Sequence, residues 1–355
     1  MAAKRTSTRT VYDGRWRGYS AWCKRQGADP VRAPVTTVLE FLQSLTATKR
    51  NNTVLGYLTA IAARHCTVKV PNKKRRRKIS KHPDVQTWKR GLSLSNPEPI
   101  PRIPQWDLEV VLSALKQPPY FPLKKTSLKH LTLRTVFLVA LTSARRASEI
   151  HALQVDTVQF GRTAVTVSPD DAFLPKVSTP WHRNQPIELP VLQVDADRDL
   201  RKLCVAASLK EYINRTRVAR AGTGATQLFL CYGAKWVGQA VSKQRIAKWL
   251  QILIEDCHAI KGQPLQAKPK GHQVRKQSTS WADMAGVDPQ KICDAAIWKS
   301  NSVFARHYKL DLLHQSRAEL GRRVLQLSAS RSAEVALRRH LGTPAAPASA
   351  RARRN

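Results

Sequence analysis

Two neighbouring arginines and a glutamate at positions 145–149 form the first group of side chains that could act on a phosphate. They follow the most apolar helix that the pattern predicts, over residues 128–143. A guanidinium beside a buried wall can bind a phosphate through two parallel hydrogen bonds. Glu149 lies three residues after Arg146, so on a helix it could hold that guanidinium in position. The alternative is a solvated helix end with an ordinary ion pair, and this segment alone does not decide.

Two later segments carry further groups that could take part in phosphate chemistry. His272 and Arg275 are three residues apart, so on a helix both side chains could reach the same ligand. Such a pair also arises by chance in many basic proteins. Trp298 and Tyr308 follow, and Tyr308 is the only one of the seven tyrosines that comes after His272. A tyrosine taken alone belongs more often to a core or an interface than to an active site.

The first 95 residues predict a small helical domain. Their apolar residues recur at helical spacing in four stretches, namely Trp16–Trp22, Val38–Leu45, Val54–Ile61 and Val85–Leu92. Prolines 97, 99, 101 and 104 then follow within eight residues, a density that cannot sustain a helix. We therefore predict four helices over 1–95 and an extended interdomain linker over 96–105.

The second half predicts a mainly α domain with a small antiparallel β-sheet (α+β) over residues 106–312. Three stretches have the composition of strands, namely 153–160, 163–167 and 186–189, and Gly161-Arg162 would form a two-residue turn between the first two. Helical spacing marks the remaining stretches, namely 106–115, 128–143, 196–220, 239–257, 273–284, 288–297 and 300–310. Residues 313–355 would form a C-terminal helix and a basic, disordered tail.

The charge of the chain predicts a polyanionic partner. The formal net charge is +37 and the pI about 10.8, so nucleic acid is the first candidate. Residues 1–95 alone carry 21 basic and 4 acidic side chains. The longest apolar run has six residues, far fewer than the roughly 20 that cross a bilayer. Six cysteines without a CxxC pair favour a reducing compartment. A ribosomal or chromatin-like basic protein fits these numbers equally well.

The order of the groups resembles the tyrosine recombinase (phage integrase) superfamily. The match consists of Arg146-Ala147-Ser148-Glu149-Ile150, then Lys176 after the second strand, His272-x-x-Arg275, Trp298 and Tyr308. In that family the first arginine lies in a Gly-Leu-Arg-x-Ser-Glu-Leu-like stretch, which selects Arg146 over Arg145 by its spacing to Glu149. Lys176 is placed by its loop alone. Tyr308 follows Trp298 by ten residues, where nine is usual in bacterial and phage members.

The N-terminal half is similar to the core-binding (SAM-like) domain of DIRS-type eukaryotic retrotransposon recombinases. The similarity rests on Tyr12, Trp16, Trp22-Cys23, Asp29-Pro30 and Val38–Leu42, and it continues at Pro104–Leu108. Together the two resemblances cover about residues 8–312. They imply a four-helix DNA-binding domain followed by a tyrosine recombinase catalytic domain.

The resemblance implies strand cleavage by a tyrosine, without a metal ion, ATP or another cofactor. Tyr308 would form a 3′-phosphotyrosyl link, and Arg146 and Arg275 would bind the non-bridging oxygens. Lys176 would protonate the leaving 5′-oxygen, and His272 would serve as a base or second donor. Trp298 would donate its indole N–H to the phosphate. The missing carboxylate cluster also argues against a two-metal nuclease.

The implied partner is double-stranded DNA, which two basic domains could clamp from opposite sides, and no small-molecule substrate is expected. Family members act as tetramers on two DNA sites, so a homotetramer is implied. The segment 313–340 would dock onto a neighbouring protomer or simply cap its own domain. A basic run favours nuclear import but also suits the DNA clamp or a solvated surface; it comprises Lys73, Lys74, Arg75, Arg76, Arg77 and Lys78.

Two other functions remain open from the sequence. The chain could be a DNA-binding protein that kept the recombinase fold and lost catalysis. The intact order of the six catalytic candidates counts against this reading. A basic RNA-binding protein is the other alternative, but no RNA-binding module is recognisable.

Overall fold

The structure is a computed structural model that describes residues 6–66, 78–95, 104–177, 179–192 and 197–310. The chain divides into two compact units, residues 1–100 and 101–355. The described part is mainly helical with one small antiparallel sheet, which confirms the predicted fold class. The predicted linker and C-terminal segment lie almost wholly outside the described residues, so the domain boundaries at 95, 106 and 312 stay predictions.

The first unit contains the four predicted helices. They are α1 (Thr6–Arg25), α2 (Val35–Thr46), α3 (Asn51–Ala62) and α4 (Pro83–Ser95). Phe41 of α2 lies at the centre of their core, with ring centroids 5.1 Å from Tyr19, 5.5 Å from Trp22 and 5.8 Å from Tyr57. The aromatic residues that predicted the first helix therefore pack onto the second and third.

The second unit contains nine further α-helices and three strands within the described residues. The helices are α5 (Leu108–Leu115), α6 (Leu128–Ser143), α7 (Ala147–His151), α8 (Arg198–Arg201), α9 (Val205–Ala221), α10 (Lys243–Ile260), α11 (His272–Met284), α12 (Pro289–Ala295) and α13 (Asn301–His307). The strands are β1 (Gln159–Phe160), β2 (Ala164–Val167) and β3 (Ile187–Pro190). No described helix is both long enough and apolar enough to span a bilayer.

Helix α6 forms the centre of this unit because most of its side chains are buried. It packs against α9, α10 and α11. Its one buried charge, Arg134, is fully enclosed and donates to Ser208 Oγ at 3.1 Å and to the carbonyl oxygens of Leu115 and Lys202. Burial lowers the pKa of Arg134 to about 10. The guanidinium thus joins the C-terminal end of α5 to the segment before α9.

The sheet is smaller than the sequence predicts. Its order is β1-β2-β3, and Val165 pairs with Phe160 on one side and Leu189 on the other. The strand predicted over 153–160 is wrong in its first six residues, because Leu153 and Gln154 form isolated bridges to separate loop segments rather than a continuous ladder. The two-residue turn is also wrong, because three residues, 161–163, separate the strands. A Cβ at Gly161 would lie 2.9 Å from the carbonyl oxygen of Ala164, so glycine suits this turn.

Capping side chains account for three further differences in where the helices begin; in addition, the helices predicted over 288–297 and 300–310 end earlier, at Ala295 and His307. The helix predicted from 106 begins at Leu108 because the Asp107 carboxylate accepts the N–H of Glu109 at 2.8 Å. The helix predicted over 196–220 is two helices, since Asp197 caps α8 and Cys204 caps α9. The helix predicted from 239 begins at Lys243, after the cap Ser242. Local hydrogen bonds at these side chains decide where each helix begins.

Candidate active site

The first part of the site is the sharp turn between α6 and α7. Ala144 ends α6 in the left-handed conformation, with φ 51°, and α7 begins three residues later at Ala147. Arg146 is then the residue that precedes α7. Its backbone N–H donates to Glu149 Oε2 at 3.0 Å, and its Nη1 donates to Glu149 Oε1 at 2.8 Å. The buried Glu149 carboxylate thereby fixes both the backbone and the guanidinium of Arg146.

Arg275 reaches the same carboxylate from α11. Its side chain is 3 % exposed, and its Nη1 lies 3.8 Å from Glu149 Oε2. Its Nη2 donates to the carbonyl oxygen of Ala296. Burial and the charge of Arg146 lower the pKa of Arg275, whereas Glu149 opposes this change. A guanidinium remains protonated at neutral pH even so. Two arginines therefore share one buried counter-ion, which leaves net positive charge at this point.

Trp298 and Tyr308 close the other side of the Arg275 guanidinium. Its central carbon lies 4.7 Å from the ring centroid of Trp298 and 5.4 Å from that of Tyr308. The two rings are 4.4 Å apart, and Phe304 stacks on the far side of Trp298 at 5.9 Å. A small apolar cluster formed by the end of α6, α12 and α13 supports this stack. Tyr308 itself is half-buried.

Three N–H groups of the site are buried without a hydrogen-bond partner among the described residues. They are Nε and Nη1 of Arg275 and Nε1 of Trp298. Each unsatisfied buried donor costs about 1–3 kcal/mol, and more when it is charged. One of the three, Nη1 of Arg275, has the Glu149 carboxylate as its counter-ion at 3.8 Å but no hydrogen bond. The arrangement is suited to binding a phosphate next to the Tyr308 ring.

The segment that follows Tyr308 is held against α11 by residues that belong to none of the motifs in the sequence. Ser280 Oγ donates to the carbonyl oxygen of Tyr308 at 3.1 Å and accepts the N–H of Leu310 at 2.8 Å. Lys309 Nζ lies 2.9 Å from Asp283 Oδ2. In the sequence, only the helical spacing of 280 and 283 indicates that the two side chains lie on the same face of the helix predicted over 273–284. That spacing does not indicate which residues they contact.

Arg145 and Arg146 have different surroundings despite being adjacent. Arg145 is buried and its Nη2 donates to the carbonyl oxygen of Pro186, beside β3. Burial lowers the pKa of Arg145 to about 10. Arg146 is more exposed and pairs with Glu149. The structure thus gives Arg145 a contact that stabilises the fold and places Arg146 in the cluster.

Two of the predicted catalytic residues are not in contact with this cluster. Lys176 is exposed in the loop between β2 and β3, and its ammonium forms no hydrogen bond or ion pair with another described residue. His272 is exposed at the first position of α11 and likewise has no hydrogen-bond partner in the described chain. Of the basic run, only Lys78 is described, and it is exposed; residues 73–77 lie outside the described ranges.

The structure resembles solved recombinases over most of its length. The Tn1549 transposon integrase in complex with transposon right end DNA matches with a TM-score of 0.57 and 14 % identity, over 90 % of this chain and 94 % of that one. XerH recombinase in a post-cleavage complex with a difH substrate matches with a TM-score of 0.54 and 13 % identity, over 83 % and 70 %. A lambda integrase dimer bound to a COC′ core site matches with a TM-score of 0.50 and 9 % identity, over 88 % and 92 %.

These likenesses define the fold as that of the tyrosine recombinases. At identities of 9–14 % they concern the fold alone. No protein-family model matches the chain, and no curated protein sequence does. The resemblance to DIRS-type recombinases stays a prediction. Among the described residues, no three His, Cys, Asp or Glu side chains lie close enough together to hold a metal ion.

Proposed function

We propose that the chain is a site-specific DNA recombinase that cleaves and rejoins DNA strands through a phosphotyrosyl intermediate on Tyr308. The observation that carries this proposal is the cluster of Arg146 and Arg275 on the shared Glu149 carboxylate, with the Arg275 guanidinium against the Trp298 and Tyr308 rings. A DNA phosphodiester offers non-bridging oxygens that complement the net positive charge of this cluster. The fold shared with DNA-bound recombinases supports the same substrate.

The reaction conserves the number of phosphodiester bonds. The phenolic oxygen of Tyr308 attacks phosphorus, a 3′-phosphotyrosyl bond forms, and the bond to the 5′-oxygen breaks. A 5′-hydroxyl of a partner strand then attacks the same phosphorus and releases the tyrosine. Negative charge grows on the non-bridging oxygens during each step, and Arg146, Arg275 and Trp298 would stabilise it.

Proton transfer is assigned to the two residues outside the cluster. A phenol with a reference pKa of about 10 is a weak nucleophile at neutral pH, so its proton needs an acceptor, and His272 is the proposed one. Lys176 is the proposed acid that protonates the leaving 5′-oxygen. Its exposed loop would have to approach the phosphate when DNA binds.

We further propose that the substrate is double-stranded DNA, that the protein acts as a homotetramer and that it is located in the nucleus. Each protomer would contribute one tyrosine, and two DNA sites would be joined in a tetramer. The basic run at 73–78 would direct nuclear import, and replacing its six residues by glutamine should leave a fluorescent fusion in the cytoplasm. Import by the substituted protein at the wild-type rate would contradict that assignment.

Covalent trapping on nicked DNA tests the proposed reaction. A pool of duplexes with randomised sequence and a nick near the centre lets the short 3′ fragment of the cleaved strand, which carries the free 5′-hydroxyl, diffuse away, so that the protein–DNA adduct accumulates. We expect an adduct with the wild type and with Tyr232→Phe, a control tyrosine of the same unit. We expect none with Tyr308→Phe, although this variant should still bind duplex DNA. DNA binding by the wild type without any adduct would instead support the binding-only alternative.

A further inference from the structure

A second cationic site lies at the beginning of α11, beside the active-site cluster. It is a pocket of about 150 Å³ into which the side chains of Lys270, His272 and Lys276 are brought together. Gln105 and Gln273 line its wall, and no carboxylate is among its lining residues. We call this site the Lys270–Lys276 pocket. Neither lysine has a place in the proposed strand-cleavage reaction.

Hydrogen bonds hold the wall of the pocket in place. Gln273 Oε1 accepts the backbone N–H of Lys270 at 2.7 Å, and Gln273 Nε2 donates to Gln105 Oε1. One turn further along the helix, Gln277 Nε2 donates to the carbonyl oxygen of Trp106 at 2.8 Å. The side-chain amides of α11 therefore join the loop that carries Lys270 to the segment that precedes α5. The pocket is built by these contacts rather than by a chance arrangement of surface lysines.

The charges of the pocket are uncompensated. Neither lysine nor His272 forms an ion pair with an acidic side chain of the described residues. Desolvation, Lys276 and Lys270 all lower the pKa of His272, and burial lowers the pKa of Lys276. The beginning of α11 adds the partial positive charge of the helix dipole, although the N–H groups of Gln273 and Val274 already donate to the carbonyl oxygens of Lys270 and Gly271. An anion in the pocket would relieve this repulsion.

The two lysines of the pocket are separate from the arginine cluster around Tyr308, although His272 and Leu310 also line the pocket. Lys276 follows Arg275 directly, but successive side chains on an α-helix diverge by about 100°. Arg275 accordingly contacts Glu149 and Trp298, whereas Lys276 lines the pocket with His272. The two cations therefore face different groups of the protein. They can bind two phosphates of one DNA backbone.

We propose that the Lys270–Lys276 pocket binds a backbone phosphate of the DNA, distinct from the phosphate that Arg146 and Arg275 would hold. This inference rests on the proposed function, because it assumes that DNA lies across the cluster. The second phosphate would fix the position of the strand relative to Tyr308. His272 lines the same pocket and would be brought close to the strand by the same contact.

The first test measures duplex binding as a function of salt with the full-length protein. Lys276→Gln and Lys270→Gln should each lower the slope of log affinity against log salt by about 0.9, the value for one phosphate contact. Lys210→Gln is the matched control, an exposed lysine on α9 that lines no part of the pocket. An unchanged slope in both pocket variants would overturn the proposal.

The second test follows the His272 ring by NMR while inorganic phosphate is added. Phosphate in the pocket should raise the pKa of His272 in the wild type and in Lys210→Gln, and should leave it unchanged in Lys276→Gln. A 30-base-pair duplex at saturation should raise it as well and abolish the response to phosphate. A response to phosphate that persists in the presence of duplex would show a site for free anions and contradict the DNA assignment. Neither test uses strand cleavage, so failure of the pocket and failure of the proposed reaction are distinguishable.

Discussion

Replacing Glu149 by glutamine should destabilise the second unit and impair cleavage without weakening DNA binding. The carboxylate accepts two hydrogen bonds from Arg146, at 2.8 and 3.0 Å, and lies 3.8 Å from Arg275 Nη1. Glutamine keeps the shape of the side chain but removes its charge and turns one acceptor into a donor. The Arg146 guanidinium would lose its fixed position, and both arginines would lose their counter-ion.

The magnitude follows from the burial of the pair. Removing one partner of a buried ion pair costs about 3–5 kcal/mol. Because glutamine keeps one oxygen that can still accept a hydrogen bond, we expect a cost of about 3 kcal/mol at Glu149. In a unit of this size 1 kcal/mol corresponds to about 2–4 °C, so the melting temperature should fall by roughly 6–12 °C. Loss of the Arg146 position should cost at least about 1.4 kcal/mol in the transition state, a tenfold slower cleavage.

Thermal unfolding and single-turnover cleavage of the trapping substrate measure these two effects. Glu188→Gln is the control, because Glu188 is exposed on β3 and the same substitution there should change stability by less than about 0.5 kcal/mol. Duplex affinity of Glu149→Gln at low salt should equal or exceed that of the wild type, since a negative charge is removed. Wild-type stability and cleavage in Glu149→Gln would refute the role of Glu149 as the shared counter-ion.

Three further predictions concern single side chains. Ser280→Ala should slow cleavage about tenfold, equivalent to about 1.4 kcal/mol, at unchanged duplex affinity, and Ser280→Thr should restore the rate; equal rates in all three proteins would exclude a positioning role. Arg145→Lys should lower the free energy of unfolding by about 1–3 kcal/mol, whereas Arg146→Lys should mainly reduce the cleavage rate. Equal changes in both quantities for the two variants would show that the two arginines do not differ in role. The pKa of His272 lies below its usual value, and a DNA phosphate beside the ring would raise it. Duplex binding would therefore take up protons, so duplex affinity should rise as the pH falls from 7.5 to 5.5. His272→Gln should flatten this pH dependence.

The fold could be predicted from the sequence wherever local pattern and burial agree. Helix α6 occupies 128–143 as predicted, because an apolar stretch follows the cap Ser127 and ends at the left-handed Ala144. The strand pattern at 153–160 was misleading, since Leu153 and Gln154 pair with separate loops and not with a neighbouring strand. Apolar β-rich composition does not say what a segment pairs with.

The site was predicted in its residue types but not in its contacts. The three-residue spacing of Arg146 and Glu149 predicts that the two side chains meet, because the contact lies within one helical turn, and the structure contains these hydrogen bonds. The approach of Arg275 to the same carboxylate depends on the packing of α11 against α6, and no spacing in the sequence encodes it. The Ser280 contacts arise only because the chain folds back onto α11 after α13.

Peptide mapping of the covalent protein–DNA adduct tests the central claim most directly. After proteolysis and nuclease digestion, mass spectrometry identifies the residue that carries the nucleotide. A 3′-phosphonucleotide bound to the phenolic oxygen of Tyr308, in the wild type on a nicked duplex, is the result expected from the cluster of Arg146, Arg275 and Trp298. A nucleotide attached to any other side chain, or through its 5′-phosphate, would contradict this assignment.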